Sequence, residues 1–83
     1  MKAYLLINCS LDSTKNVIAY IKDTIPNSSV HHVFGAYDIL VSLITESPDT
    51  MKDTIMWKIR KHKDVVSVLT LMDVTPGVKV DQS

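Results

Sequence analysis

Apolar and polar positions alternate from the start of the chain. Between Lys2 and Cys9, Ala3, Leu5, Ile7 and Cys9 fall on one face of a strand, and Tyr4, Leu6 and Asn8 fall on the other. Both faces carry apolar side chains, so both are expected to be covered. Ser10-Leu11-Asp12-Ser13 breaks the run and offers Asp12 or Ser13 as a helix cap. The period then lengthens. Val17, Ile18, Ile21 and Ile25 lie at spacings of three and four, which predicts a helix from about Ser13 to Thr24. Pro26 ends it, because proline disfavours helical geometry in the residue before it. After the Asn27-Ser28-Ser29 loop, a short strand (Val30 to Phe34) and a longer one (Ile39 to Thr45) flank Gly35-Ala36-Tyr37-Asp38, as in an antiparallel hairpin. Ser47 as cap, Pro48 at the first helical position and Asp49 in the first turn open a second helix, whose inward stripe is Met51, Ile55 and Ile59. A fourth strand, Val65 to Val74, is again apolar on both faces. Thr75 to Ser83 holds a Pro-Gly turn signal and no helical period, so it reads as an extension or a disordered tail.

The order βαββαβ fits a ferredoxin-like α+β fold, with two right-handed crossovers and both helices on one face of a four-stranded antiparallel sheet. Residues 1–75 form the domain and residues 76–83 the tail. Nothing in the chain is left to cover the other sheet face, which carries about half of the strands' apolar side chains. Such a surface associates. Two copies are expected to pair face to face through their sheets, closing a dimeric α+β barrel. Trp57 lies off the Met51–Ile55–Ile59 stripe and is a candidate for a further subunit contact, since tryptophan is enriched at interface centres.

Composition agrees with association. The chain has 83 residues, 46% of them hydrophobic, which is more than the thin core of one small domain hides. Nine basic residues balance nine acidic ones, without the one-sided basic excess of a nucleic-acid binder. Lys58, Arg60, Lys61, His62 and Lys63 cluster late in the second helix, where cations complement the helix dipole. The single Cys9 makes no internal disulfide and no zinc site alone, and reads as a small core residue. His31 and His32 are neighbours on a strand, point to opposite faces and are expected to be half-buried strand residues, not metal ligands. No serine sits in a G-x-S-x-G setting, and two glycines make no phosphate loop. No catalytic residue, cofactor or metal is assigned. Without a signal segment or an apolar run of about 18–20 residues, a cytoplasmic protein with no membrane contact is expected.

Gly35-Ala36-Tyr37-Asp38 stands out. Glycine permits a positive φ or close backbone approach, exposed backbone N–H groups suit a carboxylate, and an aspartate attracts an ammonium. The same residues also suit a plain turn in which Asp38 bonds its own loop. The stretch Val33-Phe34-Gly35-Ala36-Tyr37-Asp38-Ile39-Leu40-Val41, taken with Lys58-Ile59-Arg60-Lys61 and Val65-Val66-Ser67-Val68-Leu69-Thr70-Leu71, closely resembles the effector domain of the Lrp/AsnC regulators, the regulation-of-amino-acid-metabolism domain. The Gly-x-Tyr-Asp turn and the closing Val-x-Ser-x-x-Thr strand occur in the right order, and the resemblance spans roughly residues 2–74.

The resemblance implies a stand-alone form, since the first strand begins at residue 2 and no helix-turn-helix precedes it. Direct DNA binding is then not expected. It also implies sheet-mediated homodimers that join into rings, octamers or similar, with an amino-acid effector held between dimers. Carried over by position, the ligand-binding residues are Val33, Phe34, Gly35, Ala36, Tyr37 and Asp38, with Ser67 and Thr70 from the last strand; Phe34 and Tyr37 can equally shape the site by packing. The function expected is effector binding in transcriptional or metabolic regulation, not catalysis. The alternatives are a non-sensing module that joins full-length Lrp/AsnC regulators, and a small dimeric α+β barrel enzyme using His31 or His32.

Overall fold

In the computed structural model, which describes residues 1–73, the elements are β1 (Lys2–Cys9), α1 (Thr14–Thr24), β2 (Ser29–His32), β3 (Ile39–Ile44), α2 (Pro48–Thr54), a π-helical segment (Ile55–Arg60) that continues α2, and β4 (Val65–Asp73). The sheet runs β2-β3-β1-β4 with every pair antiparallel. This is the ferredoxin-like arrangement that the pattern predicts. Val74 at the end of the expected fourth strand, and the tail, lie outside the described residues. No helix among the described residues is long and apolar enough to cross a membrane.

The alternation in β1 decides the layering. Ala3, Leu5 and Ile7 point to the helices and are fully buried, as are Ile39 and Val41 of β3. Val17 and Ile21 of α1 close on them from above, with Ile18 and Ile25 packed at the margin. Met51, Ile55 and Ile59 complete the core from the second helix. Ser47 caps that helix: the Thr50 N–H donates to its Oγ at 3.1 Å, and Pro48 takes the first turn as expected. Ser13 behaves differently. It stands at the cap position of α1 but makes no side-chain cap bond; its hydroxyl donates to the Ser10 carbonyl at 2.6 Å, tying the helix start to the turn before it.

Two departures have physical reasons. The second helix widens at Ile55 into a π segment. Met51, Ile55 and Ile59 are spaced by four, and each such step drifts by about 40° around a helix of 3.6 residues per turn. A locally wider turn offsets that drift and keeps all three in the core. The second strand ends at His32, two residues short of Phe34. One more bond continues the ladder, from Val33 N–H to the Asp38 carbonyl at 2.9 Å, after which Phe34 swings out fully exposed.

Candidate functional site

The register divides the strands' side chains between two faces. On the face away from the helices, Leu6 lies between Leu40 and Leu69, and Tyr4 lies between Ser42 and Leu71. His31 continues the leucine row across β2. Asn8 and Ser67 face each other at one end, with Asn8 Nδ2 donating to Ser67 Oγ at 3.3 Å. No element among the described residues packs on this face. Ile44 is 64% exposed, Leu71 49% and Leu69 44%. In a β-sheet these side chains stand together, so they form one apolar surface and not scattered exposure.

The turn 33–38 sits at the end of the sheet where β1 leaves and β4 begins. Gly35 adopts φ +142°, and a Cβ built there meets nothing within 4 Å. Its requirement is therefore conformational, not one of space. Phe34, Gly35 and Ala36 are exposed, while Tyr37 and Asp38 are half-buried. Asp38 bonds outside its own turn. Its carboxylate Oδ2 accepts from the Cys9 N–H at 2.8 Å, and its own N–H donates to the Ile7 carbonyl at 3.0 Å. On the far side, the Ser10 N–H donates to the Asp64 carbonyl at 2.8 Å. The exit of β1 is thus clamped between the start of β3 and the start of β4, which fixes the turn relative to the sheet.

Asp38→Ala is expected to cost about 1–3 kcal/mol by leaving the part-buried Cys9 N–H without its charged acceptor. Chemical denaturation of the two proteins checks this.

The Cys9 thiol lies beside this clamp. Burial pushes its pKa from 9.0 up to about 11, the Asp38 and Asp64 carboxylates push the same way, and a hydrogen bond with Thr14 opposes them. A free thiol in this state is a poor nucleophile at neutral pH. Iodoacetamide is expected to label it slowly at pH 8 and faster as pH climbs toward 11. Because the folded pKa lies above the unfolded one, the folded state holds this proton more tightly. Its contribution to stability is full below about 9 and is lost as pH rises to about 11. Comparison with Cys9→Ala over that range isolates it.

The structure separates the two strand residues proposed with the turn. Ser67 lies on the outer sheet face opposite Asn8; Thr70 pairs with Leu5 on the helix face and borders an apolar groove of about 380 Å³ with Ile55, Met56 and Met72. One ligand on one face of a single chain does not touch both. His31 and His32 are exposed, not half-buried: His31 stands on the outer face that no described element covers, and His32 is the last residue of the edge strand β2. Among the described residues no group of three or more His, Cys, Asp or Glu comes together. Sequence reasoning missed the Asp38–Cys9 clamp, a contact across 29 residues with no local signal. It found Trp57, which is 58% exposed, with the Lys61 ammonium 4.7 Å from its ring centre.

Fold and surface together define a ferredoxin-like α+β domain with one bare apolar sheet face. No family model matches the sequence, and no curated relative matches it. Solved structures do. The chain is similar to FFRP-DM1 at 22% identity and a TM-score of 0.82, covering 88% of this chain and 97% of that one. It is similar to AsnC of E. coli at 17% identity and a TM-score of 0.80, covering 88% of this chain and 50% of AsnC. The hypothetical protein PHS023 from Pyrococcus horikoshii matches at 20% identity and a TM-score of 0.76, over 90% of this chain and 94% of that one. At these identities the likeness is one of fold. AsnC stands among the neighbours, so the fold agrees with the resemblance read from the sequence, and the chain spans half of AsnC.

Proposed function

We propose that this chain is a regulatory domain of the Lrp/AsnC type, which pairs with itself through the outer sheet face and binds a small effector, an amino acid, where subunits meet. The observation that carries the reading is the bare row of Leu40, Leu6 and Leu69 beside Tyr4 and Leu71. A surface of this kind is self-complementary under a twofold axis, the commonest symmetry of homo-oligomers. The turn 33–38 and Ser67 stand at the same end of the sheet, so pairing brings them toward a neighbouring subunit. Thr70 contributes to such a junction from the helix side of β4. Backbone N–H groups of the exposed Phe34-Gly35-Ala36 segment suit the effector's carboxylate. The Asp38 carboxylate, with one oxygen engaged by Cys9, keeps acceptor capacity for an ammonium.

An effector bound at a junction stabilises the assembly that forms it by mass action, by about 2.7 kcal/mol at a hundredfold excess over its dissociation constant. The reading assigns no catalytic step. Isothermal titration of the assembled protein against the twenty amino acids tests it: at least one is expected to bind, and binding by none removes the sensing role. A second reading draws on Met56 and Trp57, both exposed on the π segment. It makes the chain a joining module for full-length Lrp/AsnC regulators, and co-purification with such a regulator, unaffected by amino acids, is the result expected of it.

A further inference from the structure

We infer that the open edge of β4, with the groove beside it, is a docking site for an extended acidic peptide that carries an aliphatic side chain and adds to the sheet as a fifth strand. β4 is nine residues long, and no described strand pairs with its far side. The hydrogen bonds fix which of its groups that edge presents. The Met1 ammonium donates to the Thr45 carbonyl at 2.6 Å, and the Thr45 N–H donates back to the Met1 carbonyl at 2.8 Å. Odd-numbered residues of β1 therefore bond toward β3, and even-numbered ones bond toward β4. The partners of the even-numbered residues in β4 are Ser67, Leu69, Leu71 and Asp73. Val68, Thr70 and Met72 are left with their backbone N–H and C=O groups aimed outward. Arg60 agrees, since its guanidinium reaches over from the helix and donates to the Val68 carbonyl at 3.4 Å. Adding a strand to such an edge is a recurring mode of peptide recognition.

The side chains beside the edge select the peptide. Val68, Thr70 and Met72 stand opposite Ile7, Leu5 and Ala3 on the helix face, and residues of an added strand paired with them point the same way. On that face Thr70 and Met72 meet Ile55 and Met56 in a groove of about 380 Å³, which Lys52 and Arg60 also line. Helix and strand run in opposite directions, so Arg60 stands toward Val68 and Lys52 toward Met72. The two cations are eight residues apart, about 12 Å of helix, a span that about four residues of strand cover. An acid opposite Val68, an aliphatic residue opposite Thr70 and an acid opposite Met72 match it, as in Glu-x-Leu-x-Glu. The surroundings reinforce the preference for acid. Residues 52–63 hold five of the nine basic residues (Lys52, Lys58, Arg60, Lys61 and Lys63) and one acid, Asp53. Asp73 lies on the other face of β4, opposite Lys2. The second edge strand, β2, is only four residues long. The β4 edge is separate from the outer sheet face on which the reading above depends.

The test is amide hydrogen exchange and NMR titration of the full chain with three peptides blocked at both ends. The first is Ser-Glu-Thr-Leu-Thr-Glu-Ser; the second has glutamine for both glutamates; the third is the first with its leucine N-methylated, which removes an N–H that faces β4. In the free protein the Thr70 and Met72 amides are expected to exchange much faster than those of Leu69 and Leu71, which bond to β1. The first peptide at submillimolar concentration is expected to shift the Val68, Thr70 and Met72 amide signals and to slow exchange at Thr70 and Met72. The glutamine peptide is expected to bind about tenfold more weakly, and Lys52→Gln and Arg60→Gln each to weaken the first peptide about threefold, the scale of exposed charge contacts. The N-methylated peptide is expected not to bind. Lys61→Gln, the same change of charge outside the groove, leaves binding unchanged. Absence of shifts at these residues, equal binding of either altered peptide, or equal weakening by Lys61→Gln overturns the proposal. Slow exchange at Thr70 and Met72 in the free protein overturns it as well: if lost on dilution it gives the edge to a second copy, and if kept it gives the edge to the chain itself.

Discussion

Leu71→Lys is expected to turn an associated protein into a monomer while leaving the fold intact. Leu71 stands opposite Tyr4 on the face that no element covers, and it is 49% exposed in the single chain. Removing a leucine from a buried interface forfeits about 1.5–3 kcal/mol of apolar burial. In a twofold dimer the loss occurs twice, and the introduced ammonium must be desolvated as well. A weakening of about 3–6 kcal/mol raises the dissociation constant by roughly two to four powers of ten. Lysine on a sheet surface is also a device by which natural sheets resist association. Sedimentation velocity is the readout, with far-UV circular dichroism to confirm that secondary structure persists. A variant that associates as tightly as the parent places the interface elsewhere, and the exposed Met56 and Trp57 become the first surface to examine.

Leu5→Ala is expected to destabilise the fold by about 2–5 kcal/mol. Leu5 is fully buried at the centre of β1, between Val41 and Thr70, and rigid strands on both sides limit collapse around the cavity. Small domains have total stabilities near the low end of about 5–15 kcal/mol, so the loss is a large share of the whole. Its neighbour supplies the contrast. Leu6 sits one residue on, facing away from the helices between Leu40 and Leu69, and Leu6→Ala is expected to weaken association far more than it weakens the monomer. Urea unfolding at concentrations where the protein is dissociated separates the two effects. Equal losses in the two variants contradict the division of β1 into a core face and an association face.

That division was legible in the sequence because a strand has a side-chain period of two, and β1 is long enough to display it four times. The helices were legible for a similar reason: Val17 and Ile21, and then Met51, Ile55 and Ile59, recur at helical spacings and all five are buried. The π segment was half-visible. A strict spacing of four in Met51, Ile55 and Ile59 is a signal, but it reads as ordinary amphipathicity unless its drift is counted.

The candidate site was less legible. The position of the turn followed from Gly35 and the apolar runs on either side of it. The role of Asp38 as a fastening for Cys9 did not, because which backbone donor a carboxylate finds depends on the strand order β2-β3-β1-β4 and not on neighbouring residues. Ser67 and Thr70 stand at an odd spacing of three, which by itself puts them on opposite faces of a strand; the register shows which face each takes. The exposure of His31 and His32 is not legible in the sequence, because alternation says which way a side chain points and not whether anything lies over it. On β2, Val30 packs against the core, whereas the outward His31 and the strand-end His32 are exposed.

Association through the bare sheet face and a ligand's influence over it belong to one mechanism. Sedimentation velocity of the full chain at micromolar concentration, without and with each amino acid, tests both together. A species of at least two chains is predicted, whose distribution shifts with at least one amino acid; a monomer throughout, unmoved by any of them, contradicts it.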